Sequence, residues 1–294
     1  MQIELNDVSF TYNKRRKNKP AVGPFVLEHI QLIVKSGEML AVAGKSGSGK
    51  STFIQLLKGF LIPSEGAVLL DGIDPHFSRG PELFDRVGFI FQYPEHQLFS
   101  ATVFDDIAFG LQSANLTAAE KEAKVRRAME SVQLDFTEFK DRSPFELSGG
   151  EKRRVAIAGV IVLEPKILIL DEPTAGLDLQ SRTALFGLLH DLNREQGITV
   201  LWVSHQLEEI LEQASRLIVL KEGRFLADGP PAKLLSDPQL LEVFGWEEPP
   251  GLAIALLLQE LGAQAQDSSA VRPPQETASA IIKLWQAQQQ PSLT

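Results

Sequence analysis

Cysteine is absent from the 294-residue sequence, which excludes a disulfide framework and any thiolate metal site and fits a reducing, cytoplasmic setting. Histidine is scarce, with five scattered residues and no spaced ligand cluster. No uncharged apolar run reaches the roughly 18 residues needed to span a bilayer. The best one, residues 252–258, ends at Gln259-Glu260 and reads as an amphipathic or core helix. The opening Met1-Gln2-Ile3-Glu4 lacks the basic and apolar regions of a signal peptide. Any membrane role must therefore come through a partner chain. An excess of basic charge is missing too: the net charge of -9 argues against broad nucleic-acid binding, which needs a basic footprint. The one basic run, Lys14-Arg15-Arg16-Lys17, reads as a solvated loop between two strands, with a contact to anionic lipid or nucleic acid as the alternative.

What is present can bury a large core, since 44% of the residues are hydrophobic and 23% charged. Short apolar runs at residues 39–43, 87–91, 167–170 and 199–203 alternate with longer helical patterns, as buried parallel strands of an α/β sheet do. Residues 3–12 and 25–34 look instead like strands of an antiparallel flank. Between 91 and 147 the strand signal disappears. There residues 117–134 open with a Thr-x-x-Glu capping box at Thr117 and Glu120, so a helical insertion is expected. Gly229-Pro230-Pro231 breaks the sheet pattern, and an appended helical module is expected from about 230 onward, with a polar loop over 264–275 and a last helix over 276–288. The sequence shows no internal repeat.

Three segments carry chemistry. Gly44-Lys45-Ser46-Gly47-Ser48-Gly49-Lys50-Ser51 fits G-x-x-x-x-G-K-[ST] after an apolar strand and before a helical pattern over 52–60. Glycines at 44, 47 and 49 let successive amides turn inward around phosphates, and the helix N-terminus adds partial positive charge. Lys50 is placed to reach the β and γ phosphates and Ser51 to bind Mg²⁺. This motif alone does not separate a kinase, a GTPase, a helicase or a transporter ATPase. The second segment is the strand 166–170 followed by Asp171-Glu172, two carboxylates at the carboxyl end of a parallel strand. Asp171 suits the Mg²⁺ shell and Glu172 a general base on water. The third is Leu147-Ser148-Gly149-Gly150-Glu151, where Ser148 is a good N-cap and the amides of Gly149 and Gly150 form a second anion cradle.

That third segment resembles the signature sequence of the ATP-binding cassette (ABC) ATPases, and the resemblance spans nearly all of residues 1–230 in the expected order. It implies an α/β P-loop NTPase of the ABC type, with an antiparallel β flank, a helical signature subdomain over about 93–163 and a C-terminal helical extension over 230–294. It further implies ATP and Mg²⁺ as ligands. The nucleotide-binding set becomes Tyr12, matching the aromatic that stacks on adenine, with residues 44–51 of the loop and Thr52. By the same resemblance, Gln92 joins the Mg²⁺ and water site to the helical subdomain, His205 is the switch histidine that contacts the γ phosphate, and Glu172 completes the catalytic set. Ser51, Gln92 and Asp171 form the metal set. Asp178, in Ala175-Gly176-Leu177-Asp178, matches a loop that contacts the opposite subunit. Ser148, Gly149 and Gly150 would close over the ATP held by Lys50 of a second cassette. Many members carry an acidic residue after the switch histidine, where this sequence has Gln206.

Finer likeness lies in residues 92–99, 103–110 and 155–160, which resemble the ATPase subunits of energy-coupling factor importers, the uptake systems for cobalt, nickel and several vitamins. The implied partners are a second ATPase subunit, identical or paralogous, a transmembrane coupling subunit and a membrane substrate-binding subunit, with no nucleic acid. The implied location is the cytoplasmic face of the cell membrane, peripherally attached. Another ABC transporter class and a non-transport ABC mechanical ATPase are the alternatives, the latter disfavoured by a single cassette, acidic balance and no sustained heptads. Residues 92–99 are expected to receive the membrane partner, with Tyr93, Leu98 and Phe99 as apolar anchors and Glu95 pairing with a basic residue on a coupling helix; packing of these side chains within the helical insertion is the alternative. Apolar stripes in the tail at Leu252, Ala255, Leu256 and at Ile281, Ile282, Leu284, Trp285 either pack on their own cassette or meet the same module of a second subunit.

Overall fold

The apolar runs pair as a sheet whose two faces are both covered. β3 (Met39–Ala43), β5 (Val87–Ile90), β6 (Ile167–Asp171) and β7 (Thr199–Val203) lie parallel in the order β5-β6-β7-β3. β8 (Arg216–Lys221) joins parallel to β3, and β9 (Arg224–Gly229) closes the edge antiparallel to β8. Period-two alternation divides each strand between two cores: Met39, Ala41, Leu168, Leu170, Val200 and Trp202 face one, while Leu40, Val42, Ile167, Ile169, Leu201 and Val203 face the other. Burial on both faces is why these strands read as unbroken apolar runs.

These features are described by a computed structural model for residues 1–13, 24–76, 81–250 and 252–254. The basic run at 14–17 and the tail stripes other than Leu252 lie outside the described residues, as do the expected loop over 264–275 and the last helix.

The expected antiparallel flank forms from β1 (Ile3–Phe10) and β2 (Leu27–Val34). A third strand, β4 (Glu65–Leu70), pairs with the other edge of β1. This strand, like β8 and β9, was not foreseen. The flank and α1 (Lys50–Lys58) share the core on one face of the large sheet, where Phe53, Leu56 and Leu57 pack against Ile3, Leu5 and Val8. The helical insertion holds α2 (Val103–Ala108), α3 (Ala118–Ser131), α4 (Phe136–Phe139) and α5 (Gly149–Ile161). α3 begins where its sequence signals it, with the Thr117–Glu120 capping box closed in both directions. α6 (Leu179–Gln196) and α7 (Leu207–Gln213) follow β6 and β7 and cover the opposite face.

Beyond the sheet lie α8 (Pro231–Leu235) and α9 (Pro238–Phe244). Their apolar residues Leu235, Leu240, Leu241 and Phe244 are buried in the same core as α6 and α7, and Leu252 joins them. Residues 231–252 therefore pack back on the sheet that precedes them.

Candidate functional site

β3 delivers the phosphate loop at its carboxyl end. Gly44, Gly47 and Gly49 take φ of 157°, 77° and 105°. Gly44 has no substitute, because a Cβ there would stand 2.3 Å from the Leu220 carbonyl oxygen and 2.7 Å from Ser48 Oγ. The loop is pinned from both sides: Ser48 N–H donates to Lys45 O at 3.1 Å, and Gly223 N–H to Ser48 O at 3.0 Å. α1 starts at Lys50, whose ammonium curls back to donate to the carbonyls of Gly44 (2.8 Å) and Lys45 (3.0 Å). Burial lowers its pKa, and the carboxylates of Glu172 and Asp171 oppose that shift. Tyr12, 60% exposed, stands edge-on to Phe10 at 4.9 Å and exchanges a 3.0 Å hydrogen bond with Thr52 Oγ1, so an exposed aromatic flanks the loop.

β6 delivers the two carboxylates. Asp171 is pushed above the usual carboxylate range by burial and by adjacent Glu172, with Lys50 opposing. The chain turns sharply at Glu172, which holds φ 45° in the left-handed region rarely occupied outside glycine. Its amide still donates to Val203 O at 3.1 Å, so the turn is anchored on β7. The turn aims the carboxylate between two side chains from distant segments: Gln92 Nε2 donates to one oxygen at 3.2 Å, and His205 Nδ1 lies 3.6 Å from the other. Asp171, Glu172 and His205 join the phosphate loop in lining one cleft of about 540 Å³. Sequence reasoning named all of these, but the cleft has three lining residues it missed, Val26, Val203 and Trp246.

The donor set suits a divalent cation that keeps most of its own water. Asp171 and Ser51 bring oxygens into the same cleft, and burial, followed by the charge of Glu172, disfavours the Asp171 carboxylate in a way that a bound cation would offset. No cluster of three or more His, Cys, Asp or Glu occurs among the described residues.

The expected second anion cradle lies at a helix start that is capped as its sequence signals. Ser148 caps α5, donating its hydroxyl to Glu151 Oε2 at 2.7 Å while its own amide donates to the same oxygen at 2.8 Å. Those bonds hold the Glu151 carboxyl below its ordinary pKa. Gly149 and Gly150 open the helix, both exposed. None of Ser148, Gly149 and Gly150 lines the phosphate-loop cleft, so a single chain keeps the two cradles apart. Asp178 caps α6 by accepting from Ser181 N at 2.7 Å.

Two connections were not legible beforehand. Gln206 Oε1 accepts from Arg182, which also donates to Leu177 O at 3.1 Å, so the glutamine after His205 ties the switch strand to the loop before α6. Buried Glu209 accepts from Thr174 Oγ1 at 2.6 Å and joins the segment after Glu172 to α7. One expectation is corrected: Glu95 is not free, because Arg153, 4% exposed in α5, donates to it from Nε (3.1 Å) and Nη2 (3.4 Å). A buried guanidinium needs a counter-charge, and that need outweighs solvation of the glutamate. Leu98 is also buried, whereas Phe99 and Phe109 stand half-exposed, edge to face at 4.8 Å.

A sequence profile described as ABC transporter matches residues 27–175. The energy-coupling factor transporter ATP-binding protein EcfA2 of Clostridium tetani is 43% identical over 267 residues, covering 89% of this chain and 90% of the relative. EcfA2 of Symbiobacterium thermophilum is 46% identical over 80% of this chain and 82% of its own length. Among solved structures, cbiO1 of Clostridium perfringens, described as part of the ABC transporter complex cbiONQ, superposes with a TM-score of 0.72 at 34% identity over 82% of this chain and 93% of that one. The ATP-binding cassette MJ0796, solved as a dimer in a post-hydrolysis state with ADP and Pi, superposes at 0.63 with 29% identity over 77% and 97%. With its phosphate loop, its carboxylate pair and its capped signature helix in this arrangement, the chain belongs to the ABC transporter family and, within it, to the energy-coupling factor transporter ATP-binding proteins.

Proposed function

We propose that this chain is the ATP-hydrolysing subunit that powers a membrane importer of the energy-coupling factor type, working as one half of a nucleotide sandwich. The observation that carries the reading is the Glu172 carboxylate, held between Gln92 and His205 in the cleft that also contains Lys50. Lys50 leaves its resting carbonyls for the β and γ phosphates, and Tyr12 takes the adenine. Mg²⁺, when bound with ATP, neutralises phosphate charge, and Ser51, Asp171 and Gln92 are the residues that would hold it. Glu172 accepts a proton from the attacking water, while His205 approaches the γ phosphate and reports its presence to α7.

Ser148, Gly149 and Gly150 serve the cleft of a second ATPase subunit, identical or paralogous. The separation of the two cradles within one chain supports this, since one γ phosphate held by both would link ATP binding to closure and its hydrolysis to opening. Asp178 stands beside that contact. Among the described residues no helix is long and apolar enough to cross a membrane. The reading assigns the membrane path to a transmembrane coupling subunit and a membrane substrate-binding subunit. The ATPase then sits peripherally on the cytoplasmic face. With Glu95 occupied by Arg153, the apolar pair Phe99 and Phe109 is the anchor for the coupling subunit. Purification of the full chain from its own membranes is the test. Membrane chains should co-purify, and Phe99→Ala should lower their recovery while leaving nucleotide affinity unchanged. A monomer without companions, hydrolysing ATP alone, would count against the importer reading.

A further inference from the structure

The stretch after β9 carries no phosphate, metal or catalytic motif, yet one of its side chains walls the catalytic cleft. α9 ends at Gly245, whose φ of 63° reverses the chain, and Trp246 N–H then donates back to Leu241 O at 2.9 Å. The reversal lays the indole on the Phe244 ring, centroids 4.4 Å apart and planes at 22°. Phe244 is 4% exposed and belongs to the core that also holds Leu207, Ile210 and Leu211 of α7, the helix that follows His205. Trp246 is thus fastened through its backbone and its ring, and from that position it lines the cleft with Lys45, Lys50, Glu172 and His205. It packs against the core on the α7 face of the sheet, whereas Tyr12 packs on Phe10 of the opposite core. The two aromatics are thus anchored on different cores, and of the two it is Trp246 that lines this cleft.

We propose that Trp246 is a nucleotide-contacting residue, through which the C-terminal extension forms part of the ATP cleft and nucleotide occupancy is coupled to the seating of α8 and α9. The proposal rests on the reading of the cleft as an ATP site. An indole offers a broad apolar face and one N–H donor and no acceptor, a combination that excludes water beside phosphate oxygens without repelling them. Coupling between the extension and the nucleotide is reciprocal: if Trp246 contributes to ATP binding, ATP in turn holds the extension in place.

The sequence has three tryptophans. Trp202 is fully buried in the sheet, and Trp285 lies outside the described residues. Full-length Trp285→Phe protein and the same protein carrying Trp246→Phe are titrated with a non-hydrolysable ATP analogue, with acrylamide quenching of fluorescence as one readout and calorimetry as the other. The first protein should become markedly less quenchable when the analogue binds, and the second should show no such change. Trp246→Ala should weaken analogue binding roughly 3- to 10-fold, the scale of one lost aromatic contact. Equal protection with and without Trp246, or an affinity that is unchanged or raised in Trp246→Ala, would overturn the proposal. A calorimetric blank for the Trp285→Phe parent would instead overturn the ATP reading, so the two failures are distinguishable.

Discussion

Glu172, at φ 45° and touching both Gln92 and His205, divides the work of the cleft from that of Lys50. On the proposed reading, the lysine acts on bound phosphate and the glutamate on water. Lys50→Ala should therefore abolish nucleotide binding in calorimetry. Glu172→Gln should keep binding but slow phosphate release by about 10² to 10⁴-fold, the usual share of a positioned base. Turnover within a factor of a few of the parent would remove Glu172 from that role. Glu209 allows a prediction of a different kind. Its carboxyl is pushed up by burial, with the hydrogen bond from Thr174 first among the opposing influences and the charge of Arg182 a weaker one. A raised pKa means that the folded state holds its proton more tightly than the unfolded chain does. The stability this contributes is present below the ordinary value of 4.5 and is lost as pH rises through the folded-state value. Glu209→Gln keeps an oxygen for Thr174 and cannot ionise. Melting curves from pH 4.5 upward should show the variant gaining on the parent as pH rises, and parallel curves would refute the account.

At the scale of elements, the signature helix shows how a local rule serves two ends. Ser148 closes the capping box of α5 and stands first in the second phosphate cradle. Its side chain is therefore worth about 1 kcal/mol as a cap, independent of any partner. Ser148→Ala should cost that much in urea unfolding. It should also prevent the dimer that Glu172→Gln forms with Mg-ATP, measured by light scattering, where a paralogous partner is added if the sandwich is heteromeric. A dimer that survives Ser148→Ala would leave the residue only its cap. Elements with a local signature were those legible in advance: the capping boxes at Thr117 and Ser148, the loop from Gly44 to Ser51 and the apolar parallel strands other than β8. β4 and β9 escaped because these six-residue edge strands hold few buried residues, two in β4 and none in β9, so neither an apolar run nor a period stands out.

For the whole molecule, the helices after β9 decide where the chain can be shortened. Leu235, Leu240, Leu241 and Phe244 are each at most 9% exposed and lie in the core shared with α6 and α7. At about 1.5–3 kcal/mol for each buried side chain, their removal takes away several kcal/mol, comparable with the whole 5–15 kcal/mol of a typical domain. A chain ending at Asp228 should therefore unfold or aggregate, while one ending at Ile254 should melt cooperatively near the parent. The shorter chain melting like the parent would refute the account. The chain ending at Ile254 is thus the one in which association without nucleotide tests a dimerisation role for the residues beyond it.

The sequence by itself determined the class of fold, the phosphate loop, the carboxylate pair and the capped signature, because each rests on contacts between residues a few positions apart. Tertiary structure alone decided that Gln92 and His205, 80 and 33 positions from Glu172 along the chain, meet on one carboxylate. It also decided that Arg153 claims Glu95, and that Trp246 returns to a cleft whose loop lies some 200 residues earlier. The physical reason is the same in each case. These side chains are brought together by the order of strands in the sheet and by the packing of helices on its two faces; the resemblance marks Gln92 and His205 one by one, while Arg153 and Trp246 carry no periodic or motif-like trace of their partners.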